Sequence, residues 1–493
     1  MRLQELVNNL GAGVLARYQD VEIKGIGYNS KDIEKDFLFV AIDGKNSDGH
    51  DFINDAISRG AKVVVYQENY KLSEDQKKSN VIFIPSSDTR EALSNIACRF
   101  YQDPSHKLKC IGVTGTNGKT TITYLLESML KYAGKNTGVI GTVNYRFKAR
   151  EIPATNTTPA SLDIERLLFD MLEEGIEYVI MEVSSHALTQ ERTRDIEFQV
   201  TVFTNLTQDH LDYHKDFEDY FKAKKKLFLE SRTKPIAVIN RDDPYGLKLI
   251  GEVGKSSLTY GLGPQSDILA KDIRLGLLGS EFLVKTPKGE VKIKTSLPGQ
   301  HNVYNILAAI GAGISLKLGL DVIGEGISRL RFVPGRLQPV DCGQKFHVFI
   351  DYAHTDDALK NILGYLRNIQ KELNLKGKII IVFGCGGNRD RLKRPKMGTI
   401  ASTLSDYCFI TNDNPRNEGP EQIIDDILGG IKRDNFKVIL DRRQAIEAAL
   451  KMAKDNDIVV IAGKGHENYQ IFKDKTTHFD DAQTVKEILS QHV

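Results

Sequence analysis

The stretch Ile111-Gly112-Val113-Thr114-Gly115-Thr116-Asn117-Gly118-Lys119-Thr120-Thr121 decides how this chain is read. An apolar run, residues 110–113, ends in a loop with two glycines and a lysine. Helical spacing begins directly after it, with Ile122, Leu125, Leu126 and Met129 at i, i+3, i+4 and i+7, and Gly134 stands where that helix would stop. Strand, glycine loop and helix in this order read as a phosphate-binding loop. Glycines let backbone N–H groups turn toward phosphate oxygens, Lys119 supplies a mobile cation, and the helix adds its positive N-terminal end. The Thr120 hydroxyl is then placed to hold Mg²⁺. The general pattern G-x-x-x-x-G-K-[ST] puts its first glycine where Val113 stands, so the loop is a compact form running Gly115, Thr116, Asn117, Gly118, Lys119, Thr120, Thr121. A strand feeding a helix in this way predicts an α/β fold built on parallel sheets.

Composition agrees with that fold and narrows the partners. A chain of 493 residues with 41% hydrophobic and 27% charged side chains is globular, and its length suggests about three domains. Lys+Arg of 67 nearly cancels Asp+Glu of 65, which argues against nucleic acid as the main partner and leaves phosphate binding to local sites. Cys98, Cys110, Cys342, Cys385 and Cys408 are odd in number and form no C-x-x-C pair, as expected of reduced thiols. The start, MRLQELVNNLGAGVL, lacks a signal-peptide core, and no run approaches 18 apolar residues. A cytoplasmic protein without membrane contact, acting as a monomer, is expected.

Residues 1–88 alternate short β-type runs at 37–42, 62–66 and 81–85 with helical stretches, a small α/β domain without a phosphate loop. Its polar clusters Asn29-Ser30-Lys31 and Ser47-Asp48-Gly49-His50 read first as turn chemistry. Residues 89–334 continue as strand, helix, strand. The apolar run 178–181 ends in Glu182-Val183-Ser184-Ser185-His186, and an acidic residue at the carboxyl end of a strand beside a phosphate loop suits Mg²⁺. A further run, 200–204, leads into a loop with His210 and His214, which lack zinc spacing. Among Lys222, Lys224, Lys225 and Lys226, a helical wheel puts only Lys224 near the centre of the apolar arc Phe217, Tyr220, Phe221, Ala223, Leu227 and Phe228. An inward lysine must meet a carboxylate or phosphate, or be modified. After a β-rich portion, 258–294, the segment 297–305 opens a small-residue helix placed at 306–314, and Val333-Pro334-Gly335-Arg336 marks the next boundary.

Residues 335–493 repeat a βα rhythm at 348–350, 379–383, 407–411 and 458–462, with a short run at 438–440, as a Rossmann-like domain. The long strands end in Asp351-Tyr352-Ala353-His354, in a loop from Gly384 to Arg391 containing Arg389, in Asn412-Asp413-Asn414-Pro415-Arg416, and in Gly463-Lys464-Gly465-His466-Glu467. Polar loops gathered at the carboxyl ends of parallel strands make a ligand crevice.

Taken in order, GTNGKT, EVSSHAL, NLTQDHLDYH, LPGQHNVYN, PGR, DYAHT and DNPR span nearly the whole chain and closely resemble the Mur ligases of peptidoglycan synthesis. GTNGKT alone would also fit folylpolyglutamate synthetase. The resemblance is narrowest to those members that add 2,6-diaminopimelate. It implies an ATP-dependent amide ligase that phosphorylates the D-Glu side-chain carboxylate of UDP-N-acetylmuramoyl-L-Ala-D-Glu and then lets the amine of meso-diaminopimelate displace phosphate. It implies that Lys119 and the loop amides meet the transferred phosphate, that Thr120 and Glu182 hold one Mg²⁺ and His210 a second, and that Lys224 is carbamylated to N6-carboxylysine. Lys119, Glu182, His210 and Lys224 are thus the catalytic set. Asn302, Arg336, Asp351 and His354 would complete the ATP site, with His301 departing from the aromatic residue common before that asparagine.

For the nucleotide-sugar substrate the resemblance implies Ser30, Thr157, Thr158, Ser184, Gln190 and Arg192, with Asn29 standing where an aspartate is usual. For the amino acid it implies Arg389, Asp413, Asn414, Pro415, Arg416, Gly463 and Glu467. Arg416 offers a bidentate partner to the second carboxylate that lysine lacks, and Glu467 suits the distal ammonium. Two other readings stand beside this one: a lysine-adding version of the same ligase, and a catalytically silent nucleotide-binding scaffold.

Overall fold

The computed structural model describes residues 1–7, 20–44, 47–207, 213–254 and 257–491. Contacts group the chain into two compact units, one of Met1–Leu269, Lys285–Gly289 and Tyr304–Gly326, the other of Ala270–Val284, Glu290–Val303 and Ile327–Val493.

In the first unit, β1 (Gly25–Gly27), β2 (Phe37–Val40), β3 (Ala61–Gln67) and β4 (Ile82–Ser86) form a parallel four-stranded sheet in sequence order. The helix Thr89–Phe100 is started by Asp88, whose side chain accepts from the N–H groups of Arg90 and Glu91. Its Ala92, Leu93, Ile96 and Ala97 are buried in one cluster with Leu38, Val40, Val63 and Val65 of that sheet.

The larger sheet of this unit contains β5 (Lys109–Thr114), β6 (Thr137–Ile140), β7 (Asn144–Phe147), β8 (Arg150–Pro153), β9 (Tyr178–Glu182), β10 (Phe198–Phe203), β11 (Ile236–Asn240) and β12 (Ser257–Gly261). They lie in the order β12-β11-β10-β5-β9-β6-β7-β8. From β12 to β6 neighbours are parallel, and β9 is buried at every residue, the signature of a sheet covered on both faces. The phosphate-loop strand β5 sits between β9 and β10, with Val113 opposite Glu182, at the topological switch point where α/β sheets take ligands. Strands β6, β7 and β8 form an antiparallel edge that sequence reading left unassigned. The strand β8 is exposed throughout and so carries no apolar alternation.

β13 (Ile268–Gly276) begins beside β12, and β14 (Gly279–Thr286) and β15 (Gly289–Thr295) follow, as the β-rich reading of 258–294 expected. The small-residue helix placed at 306–314 runs Gln300–Ser315, so most of the LPGQHNVYN motif lies in its first turns.

The second unit carries β16 (Gln338–Val340), β17 (His347–Asp351), β18 (Ile379–Phe383), β19 (Tyr407–Ile410), β20 (Phe436–Val438) and β21 (Ile458–Ala462). Their order is β16-β17-β21-β18-β19-β20, parallel except for β16 on β17. The run expected at 438–440 pairs two residues earlier, as β20. Two apolar clusters cover the two faces of this sheet, one with Ile379, Ile381 and Phe383, the other with Ile380 and Val382. A small hairpin, β22 (Tyr469–Ile471) and β23 (Thr476–His478), closes the chain's last loop.

Candidate functional site

The candidate residues fall into a group in each unit. In the first, β5 delivers the loop to the N-terminus of the helix Lys119–Tyr132. Gly115 has φ +141°, and a Cβ there would lie 1.8 Å from Thr204 Oγ1; Gly118 has φ +92°. Only glycine fits both backbones. Lys119 Nζ donates to the carbonyls of Gly115 and Thr116, each at 2.9 Å, so its ammonium lies across the loop. Asn117 N–H donates to Asn205 Oδ1 at 3.0 Å. Thr116 Oγ1 lies 3.3 Å from Tyr220 OH, and Thr120 and Thr121 are buried.

Thr120 Oγ1 donates to Glu182 Oε2 at 3.0 Å, bringing together the hydroxyl and carboxylate singled out for Mg²⁺. Thr142, which sequence reading missed, donates its N–H to Glu182 Oε1 at 3.0 Å and its hydroxyl to Oε2 at 2.9 Å. It follows the carboxyl end of β6, the neighbour of β9, a strand that sequence reading left unassigned, so the rule that found Glu182 had no strand end there to act on. Its hydroxyl also meets Thr157 Oγ1 at 3.1 Å.

Lys224 is 1% exposed, as the wheel required. Its Nζ donates to Gly115 O at 2.9 Å and lies 4.5 Å from the centroid of the Tyr220 ring. Gly115 O therefore accepts from two ammonium groups, Lys119 and Lys224. His210 lies outside the described residues. His214 is buried, with Nε2 2.9 Å from Ser185 Oγ and its ring stacked on Tyr220 at 4.9 Å, which explains it as a support for that ring.

Thr158 Oγ1 donates to Glu182 O at 2.8 Å and accepts from Ser184 N–H at 3.0 Å. Arg192 Nη1 donates to Thr158 O at 2.6 Å and Nη2 to Gln190 Oε1 at 2.7 Å. A cavity of about 670 Å³ is lined by Gln190, Arg192, Asn29 and Ser30, and also by Tyr28, Arg90 and Asp163. Tyr28 OH donates to Asp163 at 2.7 Å, and burial together with that carboxylate raises the phenol's pKa. Asn29 caps the short turn Ser30–Asp32, accepting from Lys31 N–H, so the turn reading of that cluster also holds.

In the second unit Asp351 ends β17. Its carboxylate accepts from Leu337 N–H at 2.7 Å and Ala353 N–H at 2.8 Å, and burial raises its pKa to about 6 against the pull of Arg336. The Arg336 guanidinium lies 4.9 Å from the Tyr352 ring centroid, whose ring packs 4.6 Å from His354. Asn302 is buried and donates to Pro298 O at 2.7 Å.

Asn414 Nδ2 donates to Glu467 Oε2 at 2.8 Å. Arg416, at φ +52°, donates Nη1 to Gly387 O at 3.0 Å, and its N–H bonds Ile471 O at 3.0 Å. Asp413 and Pro415 are buried, and a Cβ on Gly463 would lie 2.7 Å from Asp413 Oδ2. Arg389 is exposed on the neighbouring loop, with a methylene 3.6 Å from the Cβ position of Gly386, which also neighbours Arg416 Nη1 at 2.9 Å and Asn414 O at 3.8 Å. Lys464, fully buried beside Glu467, was named in its loop without a role.

A phosphate loop at the switch point of one parallel sheet, with a second parallel sheet bearing polar loops at its strand ends, defines a nucleotide-binding α/β protein. Family models match along the chain: a Mur ligase family, catalytic domain over residues 22–101, a Mur ligase middle domain over 113–313, and a Mur ligase, glutamate ligase domain over 335–465. A relative from Clostridium tetani, named UDP-N-acetylmuramoyl-L-alanyl-D-glutamate–2,6-diaminopimelate ligase, is 44% identical over 493 residues and covers 100% of both chains. One of the same name from Clostridium perfringens is 41% identical, covering 99% of each. A solved structure of a ligase with that name superposes with TM-score 0.71 at 31% identity, covering 100% of this chain and 99% of that one. A MurF ligase from Thermotoga maritima in complex with ADP shares the fold, with TM-score 0.63 at 19% identity over 96% of this chain and 100% of that one. The chain belongs to the Mur ligase family.

Proposed function

We propose that the chain is an ATP-dependent ligase that joins meso-2,6-diaminopimelate to the D-Glu side-chain carboxylate of UDP-N-acetylmuramoyl-L-Ala-D-Glu, in the making of peptidoglycan precursors. A carboxylate in water has no adequate leaving group, so amide formation needs prior phosphorylation. The attacking amine then forms a C–N bond to the acyl carbon of the acyl phosphate, gives up a proton, and expels inorganic phosphate as the C–O bond breaks. The observation that carries this reading is the join of the phosphate loop to a carboxylate, Thr120 to Glu182 at 3.0 Å, in a chain alike from end to end to ligases of that name.

Lys119 and the loop N–H groups are suited to stabilise charge on the transferred phosphate. Hydroxyl and carboxylate oxygens form the hard donor set that Mg²⁺ prefers, so Thr120 and Glu182 would hold it, with His210 and a carbamylated Lys224 as the proposed partners of a second ion. When bound, the metal would supply positive charge against the phosphates. The nucleotide sugar is assigned to Ser30, Thr157, Thr158, Ser184, Gln190 and Arg192, ATP also to Asn302, Arg336, Asp351 and His354, and the amino acid to Arg389, Asn414, Arg416, Gly463 and Glu467. Segments 1–88, 89–334 and 335–493 are proposed as the family's three domains.

Phosphate release with the nucleotide dipeptide, ATP and a panel of amino acids tests the reading. Diaminopimelate should give turnover at least roughly 100-fold above lysine at equal concentration, since a site that pairs a charge rejects an analogue lacking it. Lysine preferred would select the lysine-adding alternative. Absence of any amino-acid-dependent release would overturn ligation and favour the silent scaffold.

A further inference from the structure

Lys464 is fully buried, with 0% of its surface exposed, in the loop that also carries Gly463 and Glu467. An ammonium loses its hydration on burial and persists there only when paired and hydrogen-bonded. Three oxygens receive it: Glu467 Oε2 at 3.3 Å, Asn414 Oδ1 at 3.4 Å, and the Tyr469 carbonyl. Two of these belong to side chains assigned above to the amino acid, and the third begins β22.

The same contacts settle the Asn414 amide. Its Oδ1 accepts from Lys464 and from Ile471 N–H at 3.0 Å, so Nδ2 must point the other way, to Glu467 Oε2 at 2.8 Å. Flipping the amide would set its NH₂ against two donors. Lys464 and Asn414 both contact the same carboxylate oxygen, Oε2. Oε1 is thereby left as the oxygen to meet an incoming cation. The strand β22 reinforces the arrangement, because Gln470 Nε2 also donates to Asp413 O at 2.9 Å and Ile471 O accepts from Arg416 N–H.

We propose that Lys464 is a positioning residue of the amino-acid site, its buried ammonium fixing Asn414 and Glu467 so that Glu467 presents one oxygen to the distal ammonium of a diamino diacid. The proposal rests on the assignment of Glu467 to that ammonium. It makes discrimination by Glu467 depend on a cation that itself contacts no substrate.

The test compares meso-diaminopimelate with L-2-aminopimelate, which keeps both carboxylates and lacks the distal amine, in the full-length enzyme. For Lys464→Met the KM for diaminopimelate should rise at least ~10-fold, while the KM for L-2-aminopimelate and for ATP stays within ~2-fold. Adding Lys464→Met to Glu467→Gln should change neither substrate's KM further. This double variant also removes the uncompensated carboxylate, and so keeps the test in hand if Lys464→Met alone fails to fold. Equal losses on both substrates, or no loss on diaminopimelate, would overturn the positioning role. If Glu467→Gln leaves the preference between the two substrates at the wild-type value, the assignment of Glu467 fails instead, and the proposal with it.

Discussion

Asp351 is a carboxyl held by two backbone N–H groups in an interior that raises its pKa to about 6, against 3.8 for an ordinary aspartate. Between those values the folded chain keeps a proton that the unfolded chain has released. The group's contribution to stability therefore falls as pH climbs from about 4 to about 6 and is level above that, by at most about 3 kcal/mol. In urea unfolding from pH 4 to 8, the difference between wild type and Asp351→Asn should slope only below about pH 6. A difference independent of pH would sink the assignment. At this scale legibility depended on what a residue type normally does. Lys224 was found because an inward lysine violates the wheel, and Glu182 because it ends a buried strand. Lys464 was passed over because a lysine between two glycines reads as solvated, and its burial needs β22 laid on Asn414 through Ile471.

The element that organises the first unit is the turn from β5 into the helix Lys119–Tyr132. Gly118 caps that helix at φ +92°, and a Cβ there would lie 2.3 Å from Asn305 Oδ1, in the helix Gln300–Ser315. A left-handed backbone costs an L side chain about 1–3 kcal/mol, and the overlap pushes the loop off its phosphate-binding shape. Gly118→Ala should keep the fold and weaken ATP binding at least ~10-fold by titration calorimetry. Undiminished affinity would show that the loop tolerates another shape. This element was legible because its chemistry is local: apolar strand, glycines, periodic helix. The parallel strands were legible for a related reason, since burial on both faces leaves continuous apolar runs such as residues 178–181 and 379–383. The edge β6-β7-β8 was not, because β8 faces solvent and its turn places Lys148 at φ +49°, where no glycine announces it.

Over the whole molecule, each unit has apolar clusters of its own, and stability need not be lost in one step. The second unit also buries an ion pair completely. Arg442 bonds both oxygens of Asp481 at 2.7 Å, with both side chains 0% exposed, and donates to Ala462 O at 3.0 Å. This ties the helices Arg442–Met452 and Asp481–Ser490 to the end of β21. Removing one partner strands the other charge in the interior, at about 3–5 kcal/mol. A change of that size moves a unit of this length by roughly 10 °C. Scanning calorimetry of full-length Arg442→Met should therefore show one transition lowered by about that amount and the other in place. Saturating ATP with Mg²⁺ should raise the undisturbed transition, by about 2.7 kcal/mol at 100 times the dissociation constant, because the phosphate loop lies in the first unit. A single transition that answers to both the substitution and the nucleotide would mean that the two units melt as one body, and that the buried pair supports the phosphate loop as much as its own sheet.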